Sequence, residues 1–204
     1  MITQTGKVSL TFDDGPNQTY TPRILDILKD LRVHASFFLV GKNAEKFPHI
    51  VERIHKEGHD IGNHTYTHPV SPLFVKNINL IGEEIEKTNR TIKKIVGIRP
   101  LFFRPPLARW GISSQELSKQ ATQYGHISVG WTSSSLDWLG SRLIIKKVMG
   151  KPPKTKQEII LLHDGAEKSL VKKRNATVEM LDEIICAYRK RSFQPLVLTK
   201  LLGL

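Results

Sequence analysis

KVSLTFDDGP, residues 7–16, sets an apolar β-forming run directly against two carboxylates and a Gly-Pro turn. It reads as a strand over 7–12 that delivers Asp13 and Asp14 at its carboxyl end. The next stretch, TPRILDILKDL (21–31), has helical period and carries Pro22 in its first turn, where a missing N–H costs nothing. This strand-then-helix unit recurs along the chain. ASFFLVG (35–41), HDIGNH (59–64), LFFRPP (101–106), HISVGWT (126–132), EIILLHDG (158–165) and FQPLVLTK (193–200) read as further strands. Helices are expected near 44–57, stopping at Gly58, and near 78–96, stopping at Gly97. Others are expected near 113–125, 141–149 and 175–191. Continuous apolar strands alternating with helices imply parallel pairing through crossovers. The favoured architecture is therefore α/β, a (β/α) barrel of seven or so units, complete or not, with an open doubly wound sheet second.

Composition bounds the rest. The 204 residues are 39% hydrophobic and 25% charged, which suits one ordered domain over 1–204. A single cysteine, Cys186, excludes an intrachain disulfide and a cysteine-based zinc cluster. The longest apolar runs are about five residues, against roughly 20 needed to cross a bilayer. MITQTGKVSL (1–10) holds no apolar block of leader length. An extracytoplasmic, cell-wall or secreted location would then imply a leader already removed, and a cytoplasmic one is the alternative. The net charge of +12 suggests a polyanionic neighbour. Its basic runs, Lys146-Lys147, 151–156, Lys172-Lys173-Arg174 and Arg189-Lys190-Arg191, read mostly as solvated helix faces. Neither a nucleic-acid-binding motif nor G-x-G-x-x-G nor a Walker loop accompanies them, so nucleic acid is not an expected partner. The N-x-T tripeptides at Asn17, Asn63, Asn89 and Asn175 read as incidental.

The chemistry-bearing residues fall at strand ends. Besides Asp13 and Asp14, these are Asn63-His64 with His68 four residues on, Arg104-Pro105-Pro106, Asp137-Trp138 and His163-Asp164. In a β/α barrel those ends share one face, where active sites are built. On a helical turn the i, i+4 spacing of His64 and His68 would aim both imidazoles at one metal. Adding one Asp14 carboxylate would leave a divalent ion with open positions, the arrangement of a catalytic site. Zinc is the default for this set, and cobalt, nickel and manganese also suit it. Each residue has a blander use. DDGP serves as an Asx turn, His163 as a core histidine, Arg104 as a surface residue ending a strand, Asp137 as a loop carboxylate and Trp138 as core. Five strand ends with acid, base and ligand types together strain that reading. Because Pro105 and Pro106 lack N–H groups, the first backbone donor after Arg104 is Leu107, suited to an oxyanion.

These residues resemble the polysaccharide deacetylases, carbohydrate esterase family 4, which include chitooligosaccharide and peptidoglycan deacetylases. TFDDGP (11–16), HTYTH (64–68), FRPP (103–106), DW (137–138) and LLH (161–163) stand in that family's order and spacing, from about Lys7 to Leu202. The resemblance implies a distorted (β/α)7–8 barrel and metal-dependent removal of acetyl groups from a glycan. It implies metal ligation by Asp14, His64 and His68, and a general base at Asp13 oriented by Arg104. It further implies a general acid at His163 oriented and tuned by Asp137. Leu161 and Trp138 would line the acetyl pocket, with the Leu107 amide on the oxyanion. N-acetylglucosamine polymers, in chitin oligomers or peptidoglycan, are the expected substrate. An O-acetyl xylan-type esterase and a non-catalytic glycan-binding module are the alternatives. A monomer that associates with anionic wall polymers is expected. The chain departs from the family at Leu107-Ala108, where an aromatic and a glycine are usual, and near Ser134, where another Asp is common.

Overall fold

The computed structural model describes residues 6–69, 78–106, 114–165 and 174–204. Strands β1 (Gly6–Asp13), β2 (Ser36–Leu39), β3 (Asp60–Asn63), β4 (Phe102–Phe103) and β5 (Ile127–Ser128) pair in sequence order. On its other side β1 pairs β7 (Gln157–His163), which pairs β6 (Ser133–Ser134), while β8 (Phe193–Pro195) joins the start of β1. Every pairing is parallel. Helices α1 (Tyr20–Asp30), α2 (Gly41–Lys46), α3 (Pro48–Lys56), α4 (Ile78–Val96), α5 (Ser114–Gln123), α6 (Arg142–Met149) and α7 (Asn175–Lys190) make the crossovers. The expected distorted (β/α) barrel is the observed fold.

Alternation along the strands explains where the core sits. On β1, Val8, Leu10 and Phe12 face outward into the main apolar cluster with Ile24, Leu25 and Leu28 of α1 and Leu181 and Ile185 of α7. Ser9, Thr11 and Asp13 alternate with them and are also buried, so the interior of the barrel is partly polar. β7 repeats the pattern, with Ile160 and Leu162 in the main cluster and His163 ending the opposite series.

Three expectations change in detail. Of the strand expected over 126–132 only Ile127–Ser128 (β5) is strand, and a further short strand, β6, follows just beyond it, at the opposite end of the sheet order. Only residues 129–132 separate them. The Val129 N–H donates to Phe103 O on one edge and the Thr132 N–H to Ile159 O on the other, so this bend bridges the two edges. The helix expected over 44–57 breaks at Phe47, because Pro48 is best placed to begin a new helix. Finally, 193–200 is strand only to Pro195 and then forms α8 (Leu198–Leu202). Leu198 and Leu201, three apart, bury one face against Phe38 and Phe102. The Leu198 N–H donates to Ser36 Oγ at 3.0 Å and the Thr199 N–H to Asp60 Oδ2 at 2.9 Å, seating α8 beneath the starts of β2 and β3. No helix among the described residues is long and apolar enough to cross a membrane.

Candidate functional site

Asp13 closes β1, His64 follows β3, Arg104 follows β4 and His163 closes β7, all at carboxyl ends of parallel strands. The ligating atoms of Asp14, His64 and His68 lie within 4.8 Å of one another. Asp14 Oδ1 is 3.0 Å from His68 Nε2 and 3.4 Å from His64 Nε2. Asp14 departs from strand geometry with φ 74°, which turns its side chain toward the histidines instead of across the sheet from Asp13. The turn is closely packed. A Cβ at Gly165 would lie 2.0 Å from the Asp14 carbonyl oxygen, and one at Gly15 would lie 2.2 Å from Asp164 Oδ2.

His64 and His68 are brought together differently from the helical turn considered above. The 64–69 segment is irregular, and Thr65 (φ 66°) and His68 (φ 51°) are left-handed. The chain folds back on itself, with the rings' centroids 5.1 Å apart. His64 Nδ1 is 2.6 Å from the Arg104 carbonyl oxygen. A carbonyl only accepts, so Nδ1 carries a proton, and Nε2, which faces Asp14 and His68, is the nitrogen that could ligate an ion. Two imidazoles and one carboxylate, with one imidazole's tautomer fixed from behind, make a donor set that fits a divalent ion such as zinc. Burial alone would raise the Asp14 carboxyl, but hydrogen bonds to His64 and His68 outweigh it and hold Asp14 well below the usual range.

Arg104 is fully buried and uses all its nitrogens. Nη1 lies 2.8 Å from both Asp13 Oδ1 and Thr11 Oγ1, Nε donates to Val129 O at 3.0 Å, and Nη2 to Gly130 O at 2.8 Å. The guanidinium thus grips the bend that bridges the sheet edges, and its centre sits 4.1 Å from the Phe38 ring centroid. Asp13 Oδ1 is taken by Arg104, while Oδ2 is 3.9 Å from His64 Nε2, on the side of the proposed ion.

A second carboxylate–histidine pair involves the end of β7, the strand paired with β1, where His163 is the register partner of Asp13. Asp137, fully buried in a 3₁₀ turn (Asp137–Leu139), sets Oδ1 2.8 Å from His163 Nδ1. Its Oδ2 accepts the His163 main-chain N–H and the Thr177 hydroxyl, each at 2.8 Å. Burial opposes the charged imidazole, yet Asp137 overrides it and raises His163 to about 9. Conversely, burial would raise Asp137, and the imidazolium holds it below the usual value.

Of the remaining candidates, Leu161 is buried on β7 two residues before His163, and Trp138 beside Asp137 is exposed, not a core residue. Leu107, like Ala108, lies outside the described residues. The sequence reading missed Thr11 and Thr177. Thr11 has a period-two signal, since it shares a face of β1 with Asp13, whereas nothing local marks Thr177 on α7. Arg174, read as part of a solvated basic run, is instead buried and donates from Nε to Gly165 O at 2.7 Å.

Comparison with known proteins places this geometry. Residues 2–126 match the polysaccharide deacetylase family. A peptidoglycan-N-acetylglucosamine deacetylase of Bacillus cereus is 41% identical over 181 residues, which cover 88% of this chain. The chain spans 62% of that relative's length. The solved structure of the Bc1960 peptidoglycan N-acetylglucosamine deacetylase superposes with a TM-score of 0.82 at 38% identity, covering 96% of this chain and 87% of that one. That of BA3943 from Bacillus anthracis, described as a carbohydrate esterase family 4 pseudoenzyme, gives 0.83 at 26% identity, covering 98% and 66%.

Proposed function

The chain belongs to the polysaccharide deacetylase family, and from that premise we propose that it hydrolyses the N-acetyl groups of N-acetylglucosamine in peptidoglycan or chitin oligomers. The observation that carries this reading is that an oriented carboxylate–histidine unit and an oriented carboxylate–arginine unit stand at the same strand ends as the Asp14, His64 and His68 cluster. Metal dependence is general in the family. Asp14, His64 and His68 would hold the ion, most simply zinc, which supplies Lewis acidity toward water and the acetyl carbonyl.

The chain's own residues do the proton work. Asp13, with Oδ1 fixed by Arg104, accepts a proton from the attacking water through Oδ2. Protonated His163, held by Asp137, donates from Nε2 to the departing sugar nitrogen, which would otherwise leave as an unstable anion. Nδ1 faces Asp137, so only Nε2 is left for the substrate. Leu161 and Trp138 line the acetyl methyl, and the Leu107 amide is assigned to the oxyanion. The relatives' named action on N-acetylglucosamine supports an amide over an ester substrate.

One specific observation keeps a second reading in view. A family fold alone does not guarantee turnover, since BA3943 is a pseudoenzyme. A glycan-binding module would bind without hydrolysis. Acetate release from N-acetylglucosamine oligomers and from peptidoglycan, assayed with zinc or cobalt and again with chelator, decides the matter. Chelator-sensitive release supports the hydrolase. Binding without release under every metal supports the module, and release from acetylated xylan alone supports the O-acetyl esterase.

A further inference from the structure

Between the two histidines runs Thr65-Tyr66-Thr67, three residues with no regular backbone pairing of their own. Their polar groups are satisfied from two sides. The Gly41 and Lys42 N–H groups at the start of α2 donate to the Thr65 and Tyr66 carbonyls, each at 2.9 Å. On the other side stands Glu84 of α4. Its Oε2 accepts the main-chain N–H of Tyr66 at 2.8 Å and of Thr67 at 2.6 Å, and its Oε1 accepts the Thr67 hydroxyl at 3.0 Å. Two successive N–H groups converging on one oxygen form a small anion cradle, and a carboxylate fills it with charge-assisted bonds.

We propose that Glu84 is a positioning residue for the metal centre, acting through the 65–67 backbone to hold His68 in register with His64 and Asp14. The inference rests on the assignment of those three as metal ligands. His64 is anchored separately, by its place after β3 and by the Arg104 carbonyl. His68 has no strand behind it, and its left-handed backbone is reached only after the turn that Glu84 clamps. The Thr65 and Tyr66 carbonyls stay tied to α2 whatever occupies position 84, so loss of Glu84 frees only the Tyr66 and Thr67 N–H groups and the Thr67 hydroxyl. That loosens the backbone leading into His68 while leaving the fold in place. Glutamine at 84 retains one carbonyl acceptor for the two N–H groups but gives up the charge. Alanine gives up both.

The test is cobalt titration of the purified chain, read by its visible absorption and by competition with a chelator, alongside thermal melting of the metal-free proteins. E84A is expected to bind cobalt ten- to a hundred-fold more weakly, the usual cost of losing an outer support of a ligand. Its absorption spectrum should be altered, and E84Q should fall between E84A and the parent. Excess metal should restore most of the hydrolytic rate of E84A. A merely structural glutamate would lower the metal-free melting temperature while leaving the cobalt constant and spectrum unchanged, and that result overturns the proposal. Should E84A fail to fold, parental cobalt binding by E84Q, with the parental spectrum, overturns it equally. Failure of the parent itself to bind cobalt would instead overturn the ligand assignment on which both readings stand.

Discussion

Asp137 holds His163 at two points, Oδ1 against the ring Nδ1 and Oδ2 against the main-chain N–H, each at 2.8 Å. The ring therefore cannot turn without losing its charge partner. Burial disfavours the imidazolium, Asp137 favours it, and the balance lies at about 9. A general acid must be protonated, so turnover should fall as pH rises through this group, with the alkaline limb at or below about 9 once a dication shares the site. Replacing Asp137 by Asn removes the favouring charge and should move that limb down by about one unit or more. The folded-state value exceeds the ordinary 6.5, so the contribution of His163 to stability is complete below 6.5 and is lost as pH rises through about 9, while that of Asp137 is present above the ordinary 3.8 and is lost as pH falls through its depressed value. A pH–rate profile of D137N with an unmoved alkaline limb would contradict the assignment.

The two proton-transfer roles separate from ligation in a direct experiment. Asp13→Asn and His163→Ala should each lower kcat by about 10²–10⁴. Both should still bind one cobalt, because Asp14, His64 and His68 are untouched. Asp14→Ala should lose the metal as well as the rate. Near-parental acetate release by D13N or H163A would refute the roles, and loss of cobalt from either would move that residue into the ligand set.

Much of this arrangement is legible in the sequence because strand ends are. KVSLTF and EIILL announce buried parallel strands, and the residues that follow, Asp13-Asp14 and His163, must then share one face. Less legible were the bends. Nothing in HISVGWT says that Ile127–Ser128 pairs one edge while Ser133–Ser134 pairs the other, since that split answers to closure of the whole sheet. The turn that joins His64 to His68 was also opaque, because positive φ at threonine and histidine opposes local preference and is imposed by α2 and α4. Thr177 was invisible for the same reason, being placed by tertiary contact with Asp137.

Arg104 and Asp13 are both buried, so their pairing is a stability matter as well as an orientation device. Truncating Arg104 to Leu leaves the Asp13 carboxylate without its charge partner and frees the Val129 and Gly130 carbonyls in the closing bend. A loss of about 3–5 kcal/mol is expected, as for other broken buried ion pairs. The double variant Asp13→Asn/Arg104→Leu should be less destabilised than the sum of the single ones, since it no longer strands a charge. Denaturant unfolding of the four proteins measures this coupling, and strict additivity would show that the pair is not the source of the loss.

Part of the basic character behind the net charge of +12 has a location among the described residues. Basic side chains stand in the last turns of the crossover helices, among them Lys29, Lys56, Lys94, Lys147 and Lys190, all exposed. Each of these helices returns toward the amino end of the next strand, so those turns gather on the face opposite Asp13 and His163. There they complement the helix carbonyl ends, and they are free to meet a polyanion without crossing the mouth. Binding to an anionic wall polymer should therefore weaken steeply between low salt and about 0.15 M, where screening acts beyond ~8 Å. Charge reversal at Lys147 and Lys190 should reduce that binding and leave kcat on a neutral N-acetylglucosamine oligomer within about two-fold, because the reacting groups lie at the other end of the strands. Salt-insensitive polymer binding, or an equal loss on the neutral oligomer, would show that these lysines do not act as a separate anchoring face.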